Sequence, residues 1–235
     1  MIKKLPKHKF IVFLPCRKGS ERVVNKNTKK FANIKNGLIS IKLKQLLAVE
    51  EISEIFLSTN DEKIINYAAS IDDPRIIIDK RSEELCNSLT STDDLINYAS
   101  SKLDGTIIWT HVTSPFVSSS VYAEAIKLYL AKVVKGDYDS LVTTNKVQKF
   151  LWDDNGPINY NREIEKWPRT QTLPVLHELN SGIFIADSSI YKHNSDRIGA
   201  KPYLMSIDEN IAFDIDWEHD WTLAEQIYMS KIANI

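Results

Sequence analysis

The stretch that most constrains this chain is Phe10 to Phe31, FIVFLPCRKGSERVVNKNTKKF. It opens on an apolar run, Phe10-Ile11-Val12-Phe13-Leu14. A short run without polar alternation reads as a buried strand. Pro15 ends it, because proline cannot donate into a sheet ladder. A basic loop follows at once: Arg17, Lys18, Gly19, Ser20 and Arg22, then Lys26 and Asn27. A buried strand feeding such a loop is how open α/β sheets place anionic ligands at a strand's carboxyl end. Successive N–H groups in the loop form an anion nest, arginine adds planar two-pronged contacts to phosphate, and lysine adds a mobile charge. The alternative is a solvated basic turn. The spacing is neither GxGxxG nor GxxxxGK[ST], which argues against the dinucleotide fingerprint and the P-loop.

The partner of that loop is small. The net charge is −1, which argues against a general polyanion binder, so no nucleic acid is expected. With 235 residues and 43% apolar content, the chain is long and apolar enough for one large α/β domain spanning residues 1–235. Residues 1–9 are basic, but the apolar run after them is short and ends in Pro-Cys-Arg-Lys, unlike a signal peptide. No run approaches the roughly 18 apolar residues of a membrane span. Cys16 and Cys86 have no metal spacing and read as free thiols of a reducing compartment. A cytoplasmic protein without a membrane partner is expected.

Beyond the loop, strands and helices alternate. Residues 37–49 show helical spacing, 54–59 a strand, 62–70 a helix, 75–78 a short strand, 93–100 a helix and 106–109 a strand. That order predicts a mostly parallel, mixed central sheet with helices on both faces and right-handed crossovers. A helix over 121–135, a strand over 140–144, a strand over 180–186, a short strand over 202–205, an extended strand over 212–216 and a helix over 217–227 complete it. Residues 150–174 break the texture: Trp152, Pro157, Tyr160, Trp167, Pro168 and Pro174 stand among charges without periodicity. The segment reads either as an inserted arm, of the aromatic and arginine-rich kind common at subunit contacts, or as an irregular surface loop.

Asp214 and Asp216 are the second constellation. Two residues apart on an extended segment, both carboxylates face one way. Two oxygens on one face can hold Mg²⁺ and leave other positions to water and substrate phosphates. Phosphoryl chemistry at a basic loop calls for such an ion. The other reading is an acidic strand edge. Asp220 belongs to the first turn of a helix. Asp61 either caps a helix or reaches a ribose. His111, beside Thr113 and Ser114 at a strand's carboxyl end, is either a ligand contact or a structural histidine. Arg81 and Arg169 are isolated arginines that either receive a carboxylate or sit as surface charges. No Gly-x-Ser-x-Gly elbow or HExxH is present, so serine hydrolase and zincin chemistry fall away.

Taken in order, these motifs resemble the acylneuraminate cytidylyltransferases. FLPCRKGSERVVNKN is similar to that family's N-terminal signature, in which (I/L)PAR-x-GS precedes KN. STND at Ser58 to Asp61, RSEEL at Arg81 to Leu85 and TSP at Thr113 to Pro115 continue the likeness. PRTQTLP at Pro168 to Pro174, NSGIFI at Asn180 to Ile185 and FDID at Phe213 to Asp216 complete it. The related CMP-Kdo synthetases normally carry Lys-Pro where this chain has Lys26-Asn27.

The resemblance implies a Rossmann-like nucleotidyltransferase fold with a small protruding arm, about 146–176, that makes a homodimer and completes the sugar site. It implies transfer of CMP from CTP to the anomeric hydroxyl of a 2-keto sugar acid of sialic, legionaminic or pseudaminic type, with release of pyrophosphate. By position, Arg17, Ser20, Arg22 and Lys26 would hold phosphates, Asn27 would shape the loop, and Arg81 would approach the nucleotide. His111, Thr113, Ser114, Arg169 and Asn180 would lie at the sugar, and Asp214 and Asp216 would carry Mg²⁺. Arg17, Lys26 and Asp216 would be catalytic. The chain departs from the pattern at Cys16 (usually Ala), Ser88 (often Asp), His111 (often Gln) and Glu178 (often Arg). The last two concern the sugar side. The alternatives are a CMP-Kdo synthetase and a non-catalytic nucleotide-binding homologue.

Overall fold

The computed structural model describes residues 8–233; most of the basic segment 1–9 lies outside them. Phe10, Val12 and Leu14 point to one apolar layer, Ile11 and Phe13 to another, and all five are buried. A strand apolar on both faces is stable only with helices on both faces, and the chain supplies them. Strand β1 (Phe10–Cys16) leads through the basic loop to α1 (Gly37–Leu47). Then come β2 (Ile52–Thr59), α2 (Glu62–Ile71), β3 (Ile76–Lys80), α3 (Thr92–Lys102) and β4 (Thr106–Thr110). Helix α4 (Ser119–Tyr129) precedes β5 (Ser140–Val147). The short strands β6 (Trp152–Asp153) and β7 (Gly156–Pro157) pair as a ribbon. The chain closes with β8 (Leu176–Asp187), α5 (Ser188–Asn194), β9 (Pro202–Ser206) and α6 (Glu218–Ala233).

The seven-stranded sheet has the order β3-β2-β1-β4-β8-β5-β9. All pairings are parallel except those of β8, which runs antiparallel to both β4 and β5. The sheet is therefore mixed and mostly parallel, as expected. Helices α1, α2, α4 and α6 cover one face, through residues such as Leu38, Ile64, Tyr122 and Trp221. Helices α3 and α5 cover the other, through Ile96, Ala99 and Tyr191. Side chains of this size stabilise by about 1.5–3 kcal/mol each when fully buried. Among the described residues no helix is long and apolar enough to cross a membrane.

Helix starts follow local chemistry. Asp61 caps α2 by accepting the Lys63 N–H at 2.9 Å. Ser91 and Asp94 form a reciprocal capping box on α3. Several expected bounds shift. Pro15 does not end β1, which pairs with β2 as far as Cys16. Pairing with β4 stops at Phe13, so the missing proline N–H interrupts no bond on that side. The helix expected over 121–135 is α4 followed by a wider turn over Leu130–Val134. Residues 212–216 are not a strand. They join no ladder and are tied down instead by Ile215 N–H donating to the Thr113 carbonyl at 2.9 Å. Helix α5 was not expected, because seven residues are too few for periodicity to register.

Beyond the sheet, β5 and β8 continue as a two-stranded extension from Thr144↔Leu179 to Val147↔Leu176. At its root four β8 residues, Asn180 to Ile183, stand opposite the single Thr143. Past the extension, Trp167 stacks edge-on to Phe150 at 5.7 Å, and Tyr160 does so at 5.2 Å. Arg162 lies over both Trp152 and Trp167. Trp167 is nonetheless 68% exposed and Ile164 85%.

Candidate active site

The carboxyl ends of β1 and β4 open into a cavity of about 370 Å³. Arg17, Ser20, Arg22, Lys26, Asn27, His111 and Thr113 line it. The basic loop is built to face it. Val23, fully buried, anchors the loop's middle in the core. Gly19, at φ +80°, makes the turn that a side chain resists. Asn27 Nδ2 donates to the Arg17 carbonyl at 3.1 Å and clips the loop's two ends together. Asn60 Oδ1 accepts the Lys18 N–H at 2.8 Å from the end of β2. Arg17 bonds only weakly, to the Gly19 carbonyl at 3.4 Å, and has no ion pair among the described residues.

Lys26 links this loop to the acidic segment. Its Nζ donates to the Ile215 carbonyl at 2.7 Å and lies 3.6 Å from Asp216 Oδ1. Burial lowers its pKa, against the pull of Asp216 and Asp214. Arg22 pairs with the same Asp216 oxygen at 3.1 Å and stacks over Trp217 at 5.1 Å. Asp220 Oδ2 accepts the Asp216 and Trp217 N–H groups, so it holds the start of α6 and is not free as a ligand.

Asp214 is the misfit of the site. Its Oδ1 is buried and has no partner. Burial raises its pKa, the Thr113 hydroxyl lowers it, the Asp216 charge raises it, and Lys26 and the Ser181 hydroxyl lower it. Among the described residues no group of three or more His, Cys, Asp and Glu is placed to hold a metal. The donor set is two carboxylates, one with a buried oxygen left over. Hard oxygens in that number suit a small divalent cation that keeps several waters, so the residues fit Mg²⁺.

His111, half-buried, accepts a hydrogen bond from Trp109. Ser114 is fully buried outside the cavity: its carbonyl accepts Lys42 Nζ at 2.9 Å, and its hydroxyl has no partner. Arg81 is 4% exposed, bonds Cys86 Sγ through Nε at 3.1 Å, and leaves Nη1 unpartnered. Asn180 lines a second cavity of about 330 Å³ together with Asp214, Asn145 and Glu178. Thr113, which lines the first cavity, touches Asp214, which lines the second. Arg169 lies exposed beyond β7 and is not brought to either cavity. The structure thus gathers the loop residues, His111, Thr113, Asn180 and the two aspartates.

Sequence reasoning passed over Lys42, Trp109 and Asn60. Lys42 had a signal: it stands four residues from both Leu38 and Leu46, on the apolar stripe of α1. Asn60 had one only as a neighbour of Asp61.

The cytidylyltransferase family profile matches residues 11–208. Among curated proteins, the chain is 26% identical over 242 residues to the CMP-N,N'-diacetyllegionaminic acid synthase of Legionella pneumophila, covering 93% of this chain and 96% of that one. It is 22% identical over 228 residues to the post-translational flagellin modification protein B of Campylobacter coli, covering 92% and 93%. Among solved structures, it superposes on CMP:2-keto-3-deoxy-manno-octonic acid synthetase complexed with CTP with a TM-score of 0.65 at 12% identity, covering 95% and 99%. At that identity the likeness is one of fold. The family match spans most of the chain and agrees with the motifs in their order: this protein belongs to the cytidylyltransferase family.

Proposed function

We propose that this protein transfers CMP from CTP to the anomeric hydroxyl of a nine-carbon 2-keto sugar acid of the legionaminic, pseudaminic or sialic type, and releases pyrophosphate. The observation that carries this is the basic loop facing one cavity while Asp214, with an unpartnered oxygen, opens on an adjoining one. The legionaminic relative spans almost the whole chain, which favours a di-N-acylated acid.

In this reading Arg17, Ser20 and Lys26 bind the phosphates, and Asn27 keeps the loop in shape. Arg81 is assigned to the nucleotide by its place in the motif order; it is buried, lines neither cavity and keeps an unpartnered Nη1. Asp214 and Asp216 hold Mg²⁺, which supplies neutralisation of the triphosphate's charge when bound. Arg22 and Lys26 both pair with Asp216, so the phosphate-binding cations and the metal-binding carboxylate form one charged cluster. His111, Thr113 and Asn180 surround the acceptor; Ser114, fully buried outside the cavity, does not reach it and instead receives Lys42. The acceptor hydroxyl attacks the α-phosphorus in line, its proton passing to solvent, and pyrophosphate leaves from the side of Arg17 and Lys26. Their positive charges stabilise the negative charge that gathers on the leaving group. Arg169 serves the neighbouring subunit's site through the arm of a homodimer in the cytoplasm.

The test is pyrophosphate release from CTP and Mg²⁺ across a panel of eight- and nine-carbon keto acids. Turnover with a nine-carbon acid alone is expected. Turnover only with the eight-carbon acid would overturn the acceptor assignment. Asp216→Asn is expected to lower turnover by at least about 100-fold with the fold intact by circular dichroism; near-wild-type activity would remove the metal assignment.

A further inference from the structure

Trp109 and His111 are two residues apart at the end of β4, where strand geometry returns side chains to the same side. The Trp109 indole Nε1–H donates to His111 Nε2 at 3.0 Å. An indole nitrogen is a donor only, so Nε2 must present its lone pair. A neutral imidazole that accepts at Nε2 carries its proton on Nδ1. The indole has little freedom to release this contact. Its ring is 1% exposed, 4.6 Å from the Phe13 ring and stacked on Tyr191 at 6.5 Å. The Arg197 guanidinium sits 5.0 Å from its centroid.

The charges around His111 act in the same direction. Arg197 reaches it from the segment between α5 and β9, Lys42 from α1, and Lys26 from the loop after β1. All three are cations, and each disfavours an imidazolium. Burial is the largest influence, and together they push the His111 pKa down to about 3.

The geometry points to Trp109 as a positioning residue that fixes His111 as a neutral Nδ1–H donor, offering the substrate cavity one hydrogen-bond donor and no base. Nε2 is occupied, so His111 cannot take the proton of the attacking hydroxyl. Its free capacity is that of an amide N–H, which suits a carboxylate or carbonyl oxygen of the acceptor. That last step rests on the function proposed above; the tautomer does not.

The experiment separates the two. Uniformly ¹⁵N-labelled protein is examined by long-range ¹H–¹⁵N correlation across acid to neutral pH, with His111 assigned by its absence from the His111→Gln spectrum. The Nδ1–H pattern is expected throughout, without titration. In Trp109→Phe, which removes the indole N–H from Nε2, His111 is expected to revert toward the Nε2–H form. A wild-type His111 that shows Nε2–H, or that is protonated at pH of about 6, overturns the proposal. So does a Trp109→Phe variant with the Nδ1–H pattern unchanged. Should Trp109→Phe fail to fold, the wild-type spectrum alone decides. In kinetics, His111→Phe is expected to raise the acceptor KM about tenfold with a smaller change in kcat. His111→Gln, which restores a neutral N–H donor, is expected to recover part of that loss. Absence of turnover with every acid would defeat the proposed function and leave the spectroscopic result standing.

Discussion

Lys42 carries an ammonium group to a position with no exposed surface. Its Nζ donates to the Ser114 carbonyl and the Tyr122 hydroxyl, each at 2.9 Å. Burial pushes its pKa down to about 7, and the Asp214 carboxylate opposes this only in part. In the unfolded chain the same group holds its proton to about pH 10.4. Between those values the unfolded state binds more protons, so this residue's contribution to stability grows as pH rises through that window and is lost as pH falls back through it. One proton gives a slope of at most about 1.4 kcal/mol per pH unit. Lys42→Met keeps the chain length and removes the charge. It is expected to flatten the rise of stability between about pH 7 and 10, read from urea midpoints at several pH values. An unchanged slope would assign the rise to another group. Lys26 is a different case, because its charge is wanted at the site. Lys26→Met is expected to lower kcat by about 100-fold, measured as pyrophosphate release at saturating CTP. A change in CTP KM alone would make it a ground-state anchor.

At the scale of elements, the irregularity between β5 and β8 shapes the second cavity. Thr143 Oγ1 donates to Asn180 Oδ1 at 2.6 Å and accepts the Ile183 N–H at 2.8 Å. Asn180 Oδ1 also accepts the Gly182 N–H, and its Nδ2 donates to Asn145. Thr143→Val has the same outline but no hydroxyl, so the Ile183 N–H and Asn180 lose a buried partner. A cost of about 1–3 kcal/mol is expected in chemical denaturation. A larger acceptor KM is expected with it, because Asn180 lines the cavity. Gly37 performs the matching task for the basic loop. It opens α1 at φ +57°, and a Cβ there would overlap the Lys29 carbonyl oxygen. Gly37→Ala is expected to destabilise by on the order of 2 kcal/mol or more. Calorimetry would show that as a drop in Tm of several degrees, and an unchanged Tm would mean that the loop relaxes freely.

For the whole molecule, the segment between β5 and β8 is the open element. It holds Trp167, Ile164 and Arg169 away from both cavities, with the first two largely exposed. Exposed aromatics beside arginine are the composition of subunit contacts. If the arm completes a neighbour's site, two crippled variants can repair each other. Asp216→Asn disables a subunit's own cavity, and Arg169→Ala disables its gift to the partner. Mixed in equal parts under exchange, they are expected to recover about a quarter of wild-type activity, since half the dimers are mixed and each has one intact site. A dead mixture with exchange verified by light scattering and labelled subunits would confine each site to one chain.

Much of this arrangement could be read from residue order. The five-residue apolar run, the alternation of strands and helices, and the basic loop are local patterns. So are the caps at Asp61 and Ser91, because a cap needs only neighbours within a turn. What tertiary structure alone decided are relations between distant residues. Asp214 and Asp216 suggested a strand by alternation, yet the sheet edge is taken by β9, and the Thr113 carbonyl and Lys26 hold the segment in place instead. Lys42 stands on the apolar stripe of α1, yet the partners that meet it there, the Ser114 carbonyl and the Tyr122 hydroxyl, come from distant segments. The protonation of His111 depends on an indole and on three cations from separate elements. Periodicity records which face a residue takes; it carries no information about what the rest of the chain places opposite that face, and burial, charge and hydrogen bonding at this site are set there.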